Sequence, residues 1–137
     1  MVHLSPPNTG SLREGHRGLL VTFREFARDL DRALDQPSDP AHLRGMLAFL
    51  RQSLLPFARR EEAVLDGCPE LTEDTAFEHA FLHAEIDALA AATAELEHSS
   101  IDRRSGLARP VLRHVHRLEA LLELHVQKAE DRERRAA

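Results

Sequence analysis

The chain has 137 residues, 30% of them charged and 42% hydrophobic, with a formal net charge of −5. This is the composition of one soluble globular domain, long enough to bury roughly two thirds of its unfolded surface. The mixed, net-negative charge excludes the basic stripe that a nucleic-acid partner requires. Cys68 is the one cysteine, which excludes an intrachain disulfide and cysteine-rich zinc or iron–sulfur sites. No apolar run approaches the ~20 residues of a membrane span, and no basic-then-apolar leader is present. A cytoplasmic protein without a membrane partner is expected, as a monomer or small homo-oligomer.

Residues 1–10 carry Pro6, Pro7 and Gly10 and predict a flexible lead-in. From Leu12 the positions Leu19, Phe23, Phe26, Leu30 and Ala33 follow in steps of three and four, with His16 on the same face. Gln36-Pro37-Ser38-Asp39-Pro40 then predicts a turn. The second segment reads Leu43, Leu47, Leu50, Leu54, Phe57, Glu61 and Val64, so Glu61 stands where an apolar residue belongs. Pro56 removes a backbone hydrogen bond there and predicts a kink beside Phe57.

Gly67-Cys68-Pro69 ends this helix, and Thr72-Glu73-Asp74 predicts the start of the third. Its inward face reads His79, His83, Ile86, Ala90 and Thr93, widened by Leu82, Leu89 and Leu96. Residues 99–106 read as a polar connection. The last helix carries Val111, Val115, Leu118, Leu122, His125 and Ala129, before a charged tail over 132–137. Four amphipathic segments joined by short connections predict an all-α fold, an antiparallel up-down-up-down four-helix bundle over residues 11–131. Phe23, Phe26, Phe49, Phe77 and Phe81 fall at helical spacings and read chiefly as core.

A bundle of this kind acts as a ruler. His79 lies about six residues after the turn between the second and third helices, and Glu61 about six before it. His16 levels with Phe57 and Glu61 across the first turn, and His83 with His125 across the third, to within a few ångströms at about 1.5 Å per residue. Imidazoles and carboxylates in one apolar layer are costly unless something binds them. Imidazole suits iron, copper, nickel and zinc, and carboxylates add hard oxygens that can bridge two cations. A non-haem iron site is therefore expected, with zinc on His79, His83 and His125 as its rival. The Glu-x-x-His pattern of ferritin-like sites occurs only at Glu95 and His98, at the far end of the bundle. His3, His42, His98, His114 and His116 read as surface histidines, Cys68 as an ordinary small residue, and the absence of Tyr and Trp excludes a tyrosyl radical.

These residues resemble the hemerythrin-like, or HHE cation-binding, domain family across roughly Leu12 to Glu130. The family carries a lone His on the first helix, then His-x-x-x-Glu, His-x-x-x-His and His-x-x-x-x-Asp/Glu on the next three. Here the corresponding residues are His16, Phe57 to Glu61, His79 to His83, and His125 to Glu130. The resemblance implies two irons bridged by Glu61 and Glu130, one taking His79, His83 and His125 and the other His16. Phe57 stands where the family has a histidine, so the His16 iron lacks one nitrogen ligand. That iron could bind weakly, recruit Glu62, or keep open positions for water or substrate.

Two functions follow from the resemblance. One is binding or activating dioxygen, or a related ligand such as peroxide or nitric oxide. The other is a diiron oxidase, oxygenase or peroxidase acting on a small substrate beside Phe57, supplied by an electron donor. A structural bundle that binds metal weakly is the third possibility.

Overall fold

The computed structural model describes residues 9–34, 40–65 and 67–136. Among them there is no strand. The elements are α1 (Thr9–Leu34), α2 (Ala41–Phe49), a π-helical turn (Leu50–Leu54), α3 (Leu55–Val64), α4 (Pro69–Glu97) and α5 (Ile101–Ala136). Helix α4 lies along α5, α1 packs on α5 and α2, and both α2 and α3 pack on α4. No helix among the described residues is long and apolar enough to cross a membrane.

The core follows the three-and-four rhythm of the sequence. Phe23 and Leu30 of α1, Leu43 and Met46 of α2, Ile86 and Leu89 of α4, and Val111, Val115, Leu118 and Leu122 of α5 are essentially inaccessible. On α4 the buried stripe is Thr75, His79, Leu82, Ile86, Leu89, Thr93 and Leu96, an unbroken alternation of four- and three-residue steps. His83 does not belong to it: one residue past Leu82, it is turned about 100° away and is exposed. Phe77 and Phe81 also depart from expectation, since each sits two residues beyond a stripe position, about 200° round the helix. They are 66% and 51% exposed.

Pro56 does not simply kink its helix. The backbone stays in the right-handed helical region through Phe49, Leu50, Leu54 and Leu55, so the helical run is continuous from α2 into α3. The helix widens just before Pro56, where the Leu55 N–H reaches back five residues to the Leu50 carbonyl. A proline ring clashes with the carbonyl four residues before it in an α-helix, and the wider π turn relieves that crowding. The buried positions consequently run Leu50, Leu54, Ala58, Glu61 and Leu65, with Phe57 half-buried and Val64 exposed.

Several boundaries differ from the sequence reading. Helix α1 already includes Thr9 and Gly10, whereas residues 1–8, the turn residues 36–39 and the side chains of Leu12 and Ala33 lie outside the described residues. Helix α4 begins at Pro69, whose fixed φ suits a first turn. The Thr72 hydroxyl donates to the carbonyls of Leu65 and Cys68 at 2.8 and 3.0 Å instead of starting the helix. The last connection shrinks to 98–100, because α5 starts at Ile101 and runs through Pro110 to Ala136. Charged residues beyond Asp131 thus extend a helix.

Candidate metal centre

Four elements each contribute one buried polar side chain to a single point. His16 comes from α1, Glu61 from α3, His79 from α4 and His125 from α5, and all four are 2–3% exposed. The Glu61 carboxylate is the hub. Its Oε2 faces His16 Nε2 at 2.6 Å, while its Oε1 faces His79 Nε2 at 2.7 Å and His125 Nε2 at 2.9 Å. His16 Nε2 and His125 Nε2 are 3.1 Å apart.

The outer nitrogens are held as firmly. His79 Nδ1 faces Glu62 Oε1 at 2.8 Å, and His125 Nδ1 faces Glu78. Glu78 is itself fixed by Arg132, whose Nη2 donates to it at 2.8 Å while Nη1 donates to the buried Thr75 hydroxyl at 2.9 Å. Lys128 Nζ adds positive charge 3.7 Å from Glu78. A carboxylate behind each of these two imidazoles fixes ring orientation and raises nitrogen basicity, the usual outer support of a metal-bound histidine. His16 differs: its Nδ1 is buried and has no hydrogen-bond partner among the described residues.

Charge is concentrated here. Burial alone would raise the Glu61 pKa, but hydrogen bonds from His125, His16 and His79 outweigh it and hold the carboxyl far below the usual range. Burial alone would lower that of His125, but its bonds to Glu61 and Glu78 push it up to about 9. Glu78 is also lowered, as the His125 bond and the charges of His125, Arg132 and Lys128 overcome its desolvation.

The donor set fits a metal ion. Neighbouring ligands around an ion with bonds of about 2.0–2.2 Å stand about 3 Å apart, the spacing found among these nitrogens and oxygens. His16, Glu61 and His125 have donor atoms within 4.8 Å of one another and could hold an ion, and His79 touches the same Glu61 oxygen as His125.

The other residues expected at the site lie elsewhere. His83 is exposed on α4. Glu130, five residues beyond His125, accepts from Arg17 Nε of α1 at 2.7 Å. Glu62 supports His79 from outside the cluster. Phe57 meets His16 edge-on, with ring centroids 5.0 Å apart, beneath the Arg60 guanidinium at 5.8 Å. Of the remaining histidines, His42, His98 and His116 are exposed, His114 pairs with Glu85 at 3.1 Å, and His3 lies outside the described residues.

Sequence reasoning missed Glu78 and Gly15. Glu78 adjoins His79, so the layer that sets His79 level with Glu61 could have found it. A Cβ on Gly15 would come 2.2 Å from Phe57 Cε2, so the Phe57 ring occupies the space this glycine leaves; a glycine beside a core histidine was its signal. No protein family, curated protein or solved structure matches this chain.

Proposed function

We propose that this chain is a hemerythrin-type metal protein, an up-down-up-down four-helix bundle that holds non-haem iron between His16, Glu61, His79 and His125. The supporting observation is the convergence of three buried imidazole Nε2 atoms on one buried carboxylate. Iron held there would supply one-electron chemistry and an open position for dioxygen, peroxide or nitric oxide. Glu61 offsets part of the cation's charge, and Glu62 and Glu78 aim two imidazoles at it. Phe57 borders the His16 side with a ring that cannot coordinate, so a small ligand and not a further protein nitrogen would take a position there.

A two-iron version of the site draws support from the way Glu61 is shared. Its Oε1 serves His79 and His125 and its Oε2 serves His16, a division that suits a carboxylate bridging two ions. In that version Glu130 would leave Arg17 to become the second bridge, and His83 would turn inward. Oxidation of a small substrate, with an external electron donor, is the enzymatic form of either version.

Elemental analysis of protein produced with iron, run beside three variants, tests the proposal. His79→Ala and His125→Ala should each lose most of the metal and melt at lower temperature, since binding free energy adds to folding free energy. His83→Ala should keep one iron; loss of its iron would favour the two-iron site. Zinc alone in the parent, or full metal retention in both the His79 and His125 variants, would refute the reading.

A further inference from the structure

Five large hydrophobic side chains among the described residues are exposed: Val21, Val64, Phe77, Phe81 and Leu124. Three of them, Phe77, Phe81 and Leu124, line one groove between α4 and α5. The groove has a volume of about 200 Å3 and is completed by Leu121, Glu78, Lys128 and His125. Its aromatic wall is preformed, since the Phe77 and Phe81 rings meet edge-to-face with centroids 5.1 Å apart. Its polar end is built as well: Lys128 stands 3.7 Å from Glu78, and Arg132 fixes Glu78. His125 also lines it, and its Nε2 meets Glu61 at 2.9 Å.

We propose that this groove binds a small aromatic molecule bearing one hydroxyl or similar polar group, with its ring between Phe81 and Leu124 and its polar group toward Glu78 and Lys128. A mostly apolar hollow with a few fixed polar groups at one end is the usual form of a small-molecule site. Its size matches a single ring, because an apolar cavity of about 150 Å3 already takes up benzene. Edge-to-face packing on Phe77 and Phe81 selects an aromatic ring over an aliphatic chain. A second copy of the chain is the poorer occupant: a hollow of about 200 Å3 takes one ring, whereas a stable interface spreads over roughly 20–30 residues per side. That the bound ring is a substrate rests on the iron reading above; that it binds does not.

Titration of 4-fluorophenol into metal-free protein, followed by fluorine NMR, separates the two. Saturable binding is expected. It should weaken at least tenfold in Leu124→Trp, which fills the groove, and in Phe81→Ser, which removes its wall, and should be unchanged in Val21→Ser. All three positions are exposed, and circular dichroism would verify that each variant folds. In iron-loaded protein the bound fluorine should relax faster, because His125 lines the groove. Absence of saturable binding, or equal binding by parent and groove variants, would each overturn the proposal, whereas a fluorine signal insensitive to bound iron would place the iron away from His125 and overturn the iron reading alone. So would sedimentation showing a dimer that Leu124→Trp dissociates while fluorophenol binding is unaltered. If the parent carries no iron yet binds fluorophenol with the expected variant pattern, the groove stands and the iron reading falls.

Discussion

Gly15 and Gly18 lie one turn apart on α1 and make opposite predictions. A Cβ at Gly18 meets nothing within 4 Å, so Gly18→Ala should stabilise the protein by about 1 kcal/mol, the helix-propensity difference. At Gly15 the same gain is opposed by the Phe57 ring, whose Cε2 and Cζ would lie 2.2 and 2.7 Å from the new Cβ. Overpacking costs about 1–3 kcal/mol, so Gly15→Ala should be neutral or destabilising. In a Phe57→Ala background it should become stabilising by about 1 kcal/mol. Urea denaturation of the four proteins measures the coupling, and additive effects would show that the ring swings aside freely. Because Phe57 also packs on His16, the glycine indirectly sets one wall of the buried histidine–carboxylate cluster.

At the level of elements, the helical stripes were legible because burial follows period 3.6 and the chain obeys it. His16, Glu61, His79 and His125 stood out as polar residues at apolar positions, and each is buried. His83 was placed inside because the stripe was read two residues wide, and Phe77 and Phe81 because their four-residue spacing alone does not say which face they share. Residues 99–106 read as a connection, yet those from Ile101 on lie within α5, as does Pro110, where packing of the following turns on α1 and α4 overrides local preference. The π turn had no periodic signature beyond Pro56. If it exists to accommodate that ring, deleting the exposed Ser53 should force a regular α turn against the proline and cost roughly 3 kcal/mol. Deleting Ser53 together with Pro56→Ala should recover most of that loss. Thermal melts of both variants decide this, and equal melting temperatures would separate the π turn from the proline.

Across the whole molecule, the buried charges couple stability to pH. The His125 pKa is raised from 6.5 to about 9, so its contribution is fully present below pH 6.5 and is lost as pH rises through about 9. At about 1.4 kcal/mol per unit this amounts to something on the order of 3 kcal/mol. The Glu61 pKa is lowered from 4.5, so its contribution is present above 4.5 and declines as pH falls below that value. Metal-free protein should therefore be most stable between pH 4.5 and 6.5 and distinctly weaker at pH 9.5. Bound metal replaces the ring protons, so metal-loaded protein should instead gain stability over the metal-free form as pH rises. Urea midpoints at pH 6 and 9.5, with and without iron, test both signs.

Three of the four converging side chains ride on unbroken α-helices of 26, 29 and 36 residues, whereas Glu61 rides on α3, the last ten residues of a helical run that the π turn interrupts. That short helix is bounded by the π turn on one side and by Gly67, with φ of 97°, on the other. The imidazoles are thus mounted on the frame and the carboxylate on a latch. Local openings differ in free energy across one fold, and if the π turn lets α3 open before the unbroken helices do, swinging it away would uncover the three nitrogens together. Amide hydrogen exchange should be faster in residues 55–64 than in the middle of α4 or α5, and iron should slow it there most. Ion exchange would then keep time with the opening of α3, and a substitution that tightens this latch would lengthen the residence of the ion without touching any of its ligands.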